Sequence, residues 1–184
     1  MTTTAAGGGG SPSPSPAPAP FIVTAERPGE VFAWADGLRR AHFPPERNHL
    51  AAHVTLFHAF APSLRAELRA VLTRIAGEHG PVAAEADGLM NLGRGTALAL
   101  RSEGMLAIRQ EIAEHFHGAL TAQDRHPPRL HITIQNKVTP EAARALQQAL
   151  APMLKPRRFA FTGLGLHIYR GPCWEAEGRW RFRG

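Results

Sequence analysis

Apolar residues return along this chain with two different periods, one typical of helices and one typical of strands. Four segments have helical spacing, and proline stands at the boundaries of three of them, at Pro44, Pro62 and Pro140. The apolar stripes are Val31, Trp34, Leu38 and Ala41; Leu64, Leu68, Val71, Leu72 and Ile75; Met105, Ile108, Ile112 and Phe116; and Leu146, Leu150 and Leu154. Thr139 precedes Pro140 and is predicted to cap the last of these helices.

Short apolar or alternating runs between the helices predict strands. They are Phe21 to Ala25, Leu50 to Phe60, "PVAAEADGL", "TALALR", Leu130 to Lys137, "RFAFTGL", "LHIYR" and "WEAEGRWRFR". The first half of the chain runs helix, strand, helix, strands, and the second half repeats this order. We therefore expect an α+β fold in which two similar lobes face each other across one cleft.

The two halves also share a four-residue phrase of histidine, apolar residue, threonine and apolar residue. It occurs as His53-Val54-Thr55-Leu56 and again, 78 residues later, as His131-Ile132-Thr133-Ile134. Because side chains two residues apart in a strand point to the same face, each strand offers an imidazole beside a hydroxyl. The same alternation predicts that Phe57 shares the face of the first phrase, and that Gln135 and Lys137 share the face of the second.

Two imidazoles and two hydroxyls, with no carboxylate between them, suit a phosphoester. The ordinary pKa of histidine is about 6.5, so one ring can accept a proton while the other donates one near neutral pH. The hydroxyls can donate hydrogen bonds to phosphate oxygens as negative charge develops on them. Lys137 and Arg129 could add positive charge beside the phosphate. Phe57, Tyr169 and Trp174 could stack a base, although aromatic residues in strands more often pack in a core.

The paired phrases resemble those of the two-histidine (2H) phosphoesterase superfamily, which includes bacterial proteins called 2′-5′ RNA ligases or RNA 2′,3′-cyclic phosphodiesterases. The segment "RRAHFPPERNHLAAHVTLFH" also resembles the first motif region of bacterial members, and the resemblance extends from about Phe21 to the end of the chain. It implies a bilobal α+β fold with pseudo-two-fold symmetry, in which two sheets with flanking helices surround a central cleft. It also implies catalysis without a metal or other cofactor, by the motif residues His53, Thr55, His131 and Thr133.

One segment departs from this family. Several RNA-processing members carry an arginine shortly after the second motif, where this chain has Gln135, Asn136 and Lys137. Lys137 supplies a positive charge there, but an ammonium group does not reproduce the bidentate fork of arginine. The departure concerns the identity of the substrate more than the class of reaction.

Composition and charge indicate the domain organisation, the localisation and the kind of partner that we expect. Residues 1–20 are rich in Gly, Ser, Pro and Ala, so we expect a disordered tail before one folded domain of residues 21–184. This segment lacks the pattern of a secretory signal, and no apolar run approaches the roughly 18–20 residues of a membrane-spanning helix. With Cys173 as its single cysteine, the chain suits a cytoplasmic protein, which we expect to be monomeric. The net charge of +6 favours an anionic partner.

Two alternatives stand beside the enzyme. Clustered histidines at 42, 49, 53 and 58 suggest a metal-dependent hydrolase, but His53 and His58 point to opposite faces of a strand and no carboxylate joins them at ligand spacing. A non-catalytic RNA- or nucleotide-binding module would use the cleft without needing both imidazoles. Our prediction is a metal-independent phosphoesterase that hydrolyses, or reversibly forms, a 2′,3′-cyclic or 2′-5′ phosphodiester of an RNA end or nucleotide. The sequence does not distinguish which histidine is the base.

Overall fold

The computed structural model describes residues 18–184, so residues 1–17 of the predicted tail lie outside the described residues. The described part contains four helices: α1 (Gly29–His42), α2 (Arg65–Glu78), α3 (Glu103–His115) and α4 (Pro140–Leu150). It also contains eight strands: β1 (Phe21–Glu26), β2 (Val54–Phe60), β3 (Val82–Asn91), β4 (Gly95–Arg101), β5 (His131–Asn136), β6 (Arg157–Phe161), β7 (Gly163–Arg170) and β8 (Cys173–Arg181). No helix within residues 18–184 is long and apolar enough to cross a membrane.

Two of the four helices begin at a residue whose side chain accepts a hydrogen bond from a free amide group of the first turn. Thr139 caps α4 as predicted, since its hydroxyl accepts a hydrogen bond from the amide of Ala142 at 3.2 Å. Ser102 caps α3 in the same way. The two caps satisfy backbone donors that the first turn of a helix otherwise leaves unpaired.

Helix α1 packs most of its predicted apolar stripe on the core, since Trp34 and Leu38 are partly buried against it. Val31 is buried as expected, but Ala41 is exposed. The buried face also includes Asp36 and Arg39, which are 6% and 4% exposed. An apolar stripe alone could not predict the burial of these two charged residues, because it depends on partners that other segments supply.

The strands form two four-stranded antiparallel sheets, in the order β2-β1-β7-β8 in sheet A and β5-β4-β3-β6 in sheet B. This confirms the predicted α+β fold with two lobes. The lobes are not consecutive halves of the chain, however, because sheet A combines the first two strands with the last two. Helix α2 packs on sheet A, and α3 and α4 pack on sheet B.

Both strands that carry the repeated phrase are edge strands. Strand β2 is the edge of sheet A and β5 is the edge of sheet B, and the two strands are in contact. Helix α1 packs beside β5. The inner faces of both sheets share one hydrophobic core that includes Val54, Leu98, Ile132 and Leu164. The fold therefore places the two phrases side by side where the lobes meet.

Each of these two strands contains a β-bulge directly after its threonine. In β2, Thr55 pairs with Thr24 but Phe57 pairs with Val23, so Leu56 is the extra residue. The bulge reverses the alternation of side chains beyond it. Phe57 is consequently 0% exposed and lies in the core with Val23.

The bulge in β5 has the same position in its phrase. Thr133 pairs with Ala97 and Gln135 pairs with Thr96, so the extra residue is Ile134. Gln135 is therefore turned to the buried side, where the hydroxyl of Thr96 donates a 3.4 Å hydrogen bond to its side-chain oxygen. The matched bulges extend the internal symmetry beyond the four-residue phrases.

Candidate active site

Two cavities are lined by residues of the first motif. The first, of about 240 Å³, is lined by Thr55, His131 and Arg129 among others and is called the His131 cavity here. The second, of about 260 Å³, is lined by His53 and His167 among others and is called the His53 cavity. Since His53 lies two residues before Thr55 in the first motif, the two cavities adjoin along that motif.

The two motif histidines are held in the same way. The Nδ1 atom of His53 lies 2.8 Å from the carbonyl oxygen of Ala51, and Nδ1 of His131 lies 2.7 Å from that of Arg129. A carbonyl oxygen can only accept, so in each ring Nδ1 carries the proton and donates it. Neither Nε2 atom has a hydrogen-bond partner among residues 18–184. Both rings thus keep Nε2 free for a substrate.

The surroundings of His53 keep its ring neutral. Burial is the main cause that lowers the pKa of His53 to about 4, and the positive charges of Arg39 and Arg27 and the ring of His167 act in the same direction. The hydrogen bond to the Ala51 carbonyl opposes them only in part. A neutral imidazole at neutral pH can accept a proton through Nε2. His53 is therefore equipped to act as a base.

The loop before the first motif is hydrogen-bonded to side chains of α1. The carboxylate of Asp36 accepts a hydrogen bond from the amide of Ala52 at 2.9 Å. Arg39 donates to the carbonyl oxygen of Leu50 and to the side chain of Asn48, both at 2.8 Å. It also donates to the carbonyl oxygen of Thr133 at 2.8 Å, so one buried guanidinium binds both motif segments.

The loop before the second motif is hydrogen-bonded to the first motif strand, β2. Asp124 is 2% exposed and accepts hydrogen bonds from the amides of His58 and Ala59 and from the His58 ring. Burial alone would raise the pKa of Asp124, but these hydrogen bonds outweigh it and lower the pKa. Arg109 donates to the backbone carbonyl oxygens of Asp124 and His126. This loop leads directly to Arg129 and His131.

The structure brings some of the predicted site residues together and separates others. Arg129 is exposed and lines the His131 cavity with Thr55 and His131. Thr133 is half-buried on β5, two residues beyond His131. Lys137 is exposed and has a left-handed backbone with φ of 59°. Neither Lys137 nor Tyr169, which is 44% exposed, lines either of the two cavities.

Phe57 and Gln135 do not face the cleft, because the two bulges turn both side chains to the buried side. The prediction that strict alternation would carry them onto the catalytic face was therefore wrong. Period-two reasoning holds only where each residue of one strand opposes one residue of its neighbour. A base-stacking role for Phe57 and a substrate contact for Gln135 therefore have no structural basis.

Sequence reasoning missed Arg39, Asp36 and His167. For His167 a signal existed, because Leu164, Leu166 and Ile168 alternate along β7 with residues that face away from the core. For Arg39 and Asp36 the local sequence contained no such signal, because charged residues in an amphipathic helix are ordinarily expected on its solvent-facing side. Within residues 18–184, no group of three His, Cys, Asp or Glu side chains is arranged to hold a metal ion.

Comparison with known proteins places this geometry in a family. A sequence model of the 2′-5′ RNA ligase superfamily matches residues 27–172. No curated protein matches the chain at a significant level.

Solved structures share the fold over nearly the whole chain. TT0787 of Thermus thermophilus is 17% identical with a TM-score of 0.63, over 90% of this chain and 98% of that one. Escherichia coli LigT complexed with 3′-AMP is 18% identical with a TM-score of 0.58, over 91% and 99% of the two chains. LigT complexed with NADP+ is 20% identical with a TM-score of 0.57, over 90% and 98%. By its sequence match, its two-sheet fold and its paired motifs, the chain belongs to the 2′-5′ RNA ligase superfamily of 2H phosphoesterases.

Proposed function

We propose that this protein is a metal-independent phosphoesterase that hydrolyses, or reversibly forms, a 2′,3′-cyclic or 2′-5′ phosphodiester of RNA or nucleotides. The observation that carries the proposal is the matched pair of imidazoles, each with Nδ1 bound to a carbonyl oxygen and Nε2 free. A binding module has no need to hold two histidines in the same tautomer. Acid–base catalysis does need it, because one Nε2 must accept a proton and the other must donate one.

The two histidines have different roles in this proposal. His53, whose pKa is lowered to about 4, accepts a proton from the attacking water as its oxygen bonds to phosphorus. His131 enters the reaction protonated on both ring nitrogens and donates the Nε2 proton to the ribose oxygen as the bond from phosphorus to that oxygen breaks. Thr55 and Thr133 donate hydrogen bonds to the non-bridging oxygens, and Arg129 adds positive charge at the rim. Proton exchange with solvent returns both rings to their starting states.

Two further findings support a substrate that carries a nucleotide. Members of the superfamily are named for 2′-5′ RNA ligation. LigT, which shares the fold, has been crystallised with 3′-AMP, with ATP and with NADP+. Each of these ligands contains an adenine nucleotide. In this proposal such a group binds in the His131 cavity, which is lined by Thr55 of the first motif and His131 of the second.

The test is turnover of adenosine 2′,3′-cyclic phosphate in the presence of EDTA. We expect His53→Ala and His131→Ala each to lower kcat by on the order of 10² to 10⁴, because each removes one proton transfer. His49→Ala is the matched control, since His49 is exposed and lies four residues before His53. The circular dichroism spectra of all three variants should match the wild type.

Each alternative predicts a different result. Nucleotide binding without turnover in the wild type would favour the binding module. Turnover that EDTA abolishes would favour a metal-dependent hydrolase. A wild-type rate in either catalytic-histidine variant would remove that residue from the mechanism.

A further inference from the structure

The His53 cavity is lined by more aromatic and charged side chains than the activation of a water molecule requires. The indole ring of Trp174 packs near two imidazoles, with ring centroids 4.5 Å from His53 and 5.6 Å from His167. Arg27, Arg179 and Glu26 also line this cavity. A water molecule needs only one proton acceptor, so an aromatic ring and several charged groups indicate a larger occupant.

A glycine lies beside three polar side chains that line the cavity. A Cβ atom on Gly165 would lie 2.6 Å from both the Glu26 carboxylate and the Thr24 hydroxyl, and 3.1 Å from Nε2 of His167. Only glycine leaves room for these three polar groups to converge on one place. Thr24 and His167 are 3.0 Å apart and hydrogen-bonded to each other. The carboxylate of Glu26 remains able to accept hydrogen bonds from hydroxyl or amino groups.

Two arginines, Arg27 and Arg179, line the cavity and carry positive charge. Arg27 packs over the ring of Phe32 at 4.7 Å and donates to the carbonyl oxygen of Ala52. The buried Nε of Arg27 has no hydrogen-bond partner among the described residues. Arg179 is exposed and its Nε lies 4.0 Å from Glu26, at the limit of an ion pair. Positive charge beside an aromatic ring is the combination that binds a base followed by a phosphate.

We propose that the His53 cavity is the subsite for the nucleoside that carries the 5′-oxygen of the phosphodiester. This inference rests on the proposed function, and it assigns the two cavities to the two sides of the phosphorus atom. The ribose with the 2′- or 3′-oxygen lies in the His131 cavity. The 5′-linked nucleoside lies against Trp174, its hydroxyl groups toward Glu26, and the next phosphate lies toward Arg179.

The step that uses this subsite is balanced without an added cofactor. A 5′-hydroxyl in the His53 cavity attacks the cyclic phosphate, a bond from phosphorus to the 5′-oxygen forms, and the 5′-hydroxyl proton passes to His53. The bond from phosphorus to the 3′-oxygen breaks, and His131 protonates that oxygen, which leaves a 2′-5′ linkage. Cleavage of a 2′-5′ diester is the same sequence in reverse. Water replaces the 5′-hydroxyl when the subsite is empty.

The experiment compares two substrates for the full-length protein. One is adenosine 2′,3′-cyclic phosphate, which uses only water and the His131 cavity. The other is a 2′-5′-linked adenosine dinucleotide that ends in a 3′-phosphate, which occupies both cavities. We expect the wild type to cleave the dinucleotide. We expect Arg179→Gln to lower kcat/KM for the dinucleotide about tenfold more than for the cyclic nucleotide, the effect of one charge-assisted hydrogen bond.

Arg144→Gln is the matched control, because it removes the same charge from an exposed position on α4. We expect it to leave the ratio of the two kcat/KM values unchanged. Equal losses on both substrates in Arg179→Gln would overturn the subsite. Hydrolysis of the cyclic nucleotide without cleavage of the dinucleotide would also overturn it and would leave the proposed function intact. Turnover of neither substrate would overturn both.

Discussion

Replacing Arg39 with methionine removes a buried side chain that is bonded to both motif segments. Its guanidinium donates to Asn48 and Leu50 before the first motif and to the carbonyl oxygen of Thr133 in the second, each at 2.8 Å. It is 4% exposed and also packs over the ring of Phe43 at 4.1 Å. Methionine keeps the length and apolar character of the stem but has no donor.

The loss of stability follows from these contacts. Each hydrogen bond to a charged group contributes on the order of 1.5–3 kcal/mol, and the desolvation of the guanidinium offsets part of the sum. We expect Arg39→Met to lower the free energy of unfolding by about 3 kcal/mol, because two backbone carbonyl oxygens lose their donor. For a domain of this size, that corresponds to a decrease in Tm of roughly 6–12 °C.

The same substitution changes the titration of His53. Burial is the main reason that the pKa of His53 lies at about 4, and the positive charge of Arg39 is a further reason. Methionine removes that charge and leaves the burial, so the pKa of His53 should rise toward its ordinary value of 6.5 without reaching it. If His53 is the base, the acid limb of kcat/KM moves to higher pH with it.

The assay is kcat/KM for a 2′,3′-cyclic nucleotide from about pH 3.5 to 9, a range that spans the ordinary histidine pKa, together with NMR titration of the His53 ring. Arg39→Lys separates the two effects: it keeps the charge, so the acid limb should stay low, but it cannot reach three acceptors, so the stability should still fall. An acid limb in Arg39→Met that overlays the wild type would refute the electrostatic part of this reasoning. A Tm within about 2 °C of the wild type would refute the structural part.

Further substitutions test the hydroxyls and the second loop. Thr55→Val and Thr133→Val preserve the branched shape and should each lower kcat by up to about 10² to 10³ at unchanged Tm, and unchanged rates for both would restrict the threonines to packing. The pKa of Asp124 lies below its ordinary value of 3.8, so its stabilising effect is present above that pH and is lost as the pH falls through the folded-state pKa. Urea unfolding should therefore show Asp124→Asn to be less stable than the wild type at pH 7, with the difference narrowing below about pH 4. A difference that does not depend on pH would contradict this account.

Local sequence signals were sufficient to predict the regular elements and the motif chemistry. The Thr139-Pro140 signal predicted the start of α4 correctly, although the helix ends at Leu150, before Leu154 of the predicted stripe. Apolar runs predicted the strands, because these signals act within a few residues. The repeated phrase also identified the strands that meet between the lobes, since a His and a Thr two residues apart share a face in any strand. Local patterns do not predict which distant residues pack beside these motifs.

The tertiary structure decided which residues share the cleft with those motifs. Phe57 and Gln135 are turned away from it because each strand has one extra residue directly after its threonine, and that mismatch with the neighbouring strand exists only once the sheet has formed. The lowered pKa of His53 likewise depends on burial and on charges that α1 and β7 bring from distant parts of the chain. Pairing register and electrostatic potential are sums over residues far apart in sequence, so they are set by the assembled fold.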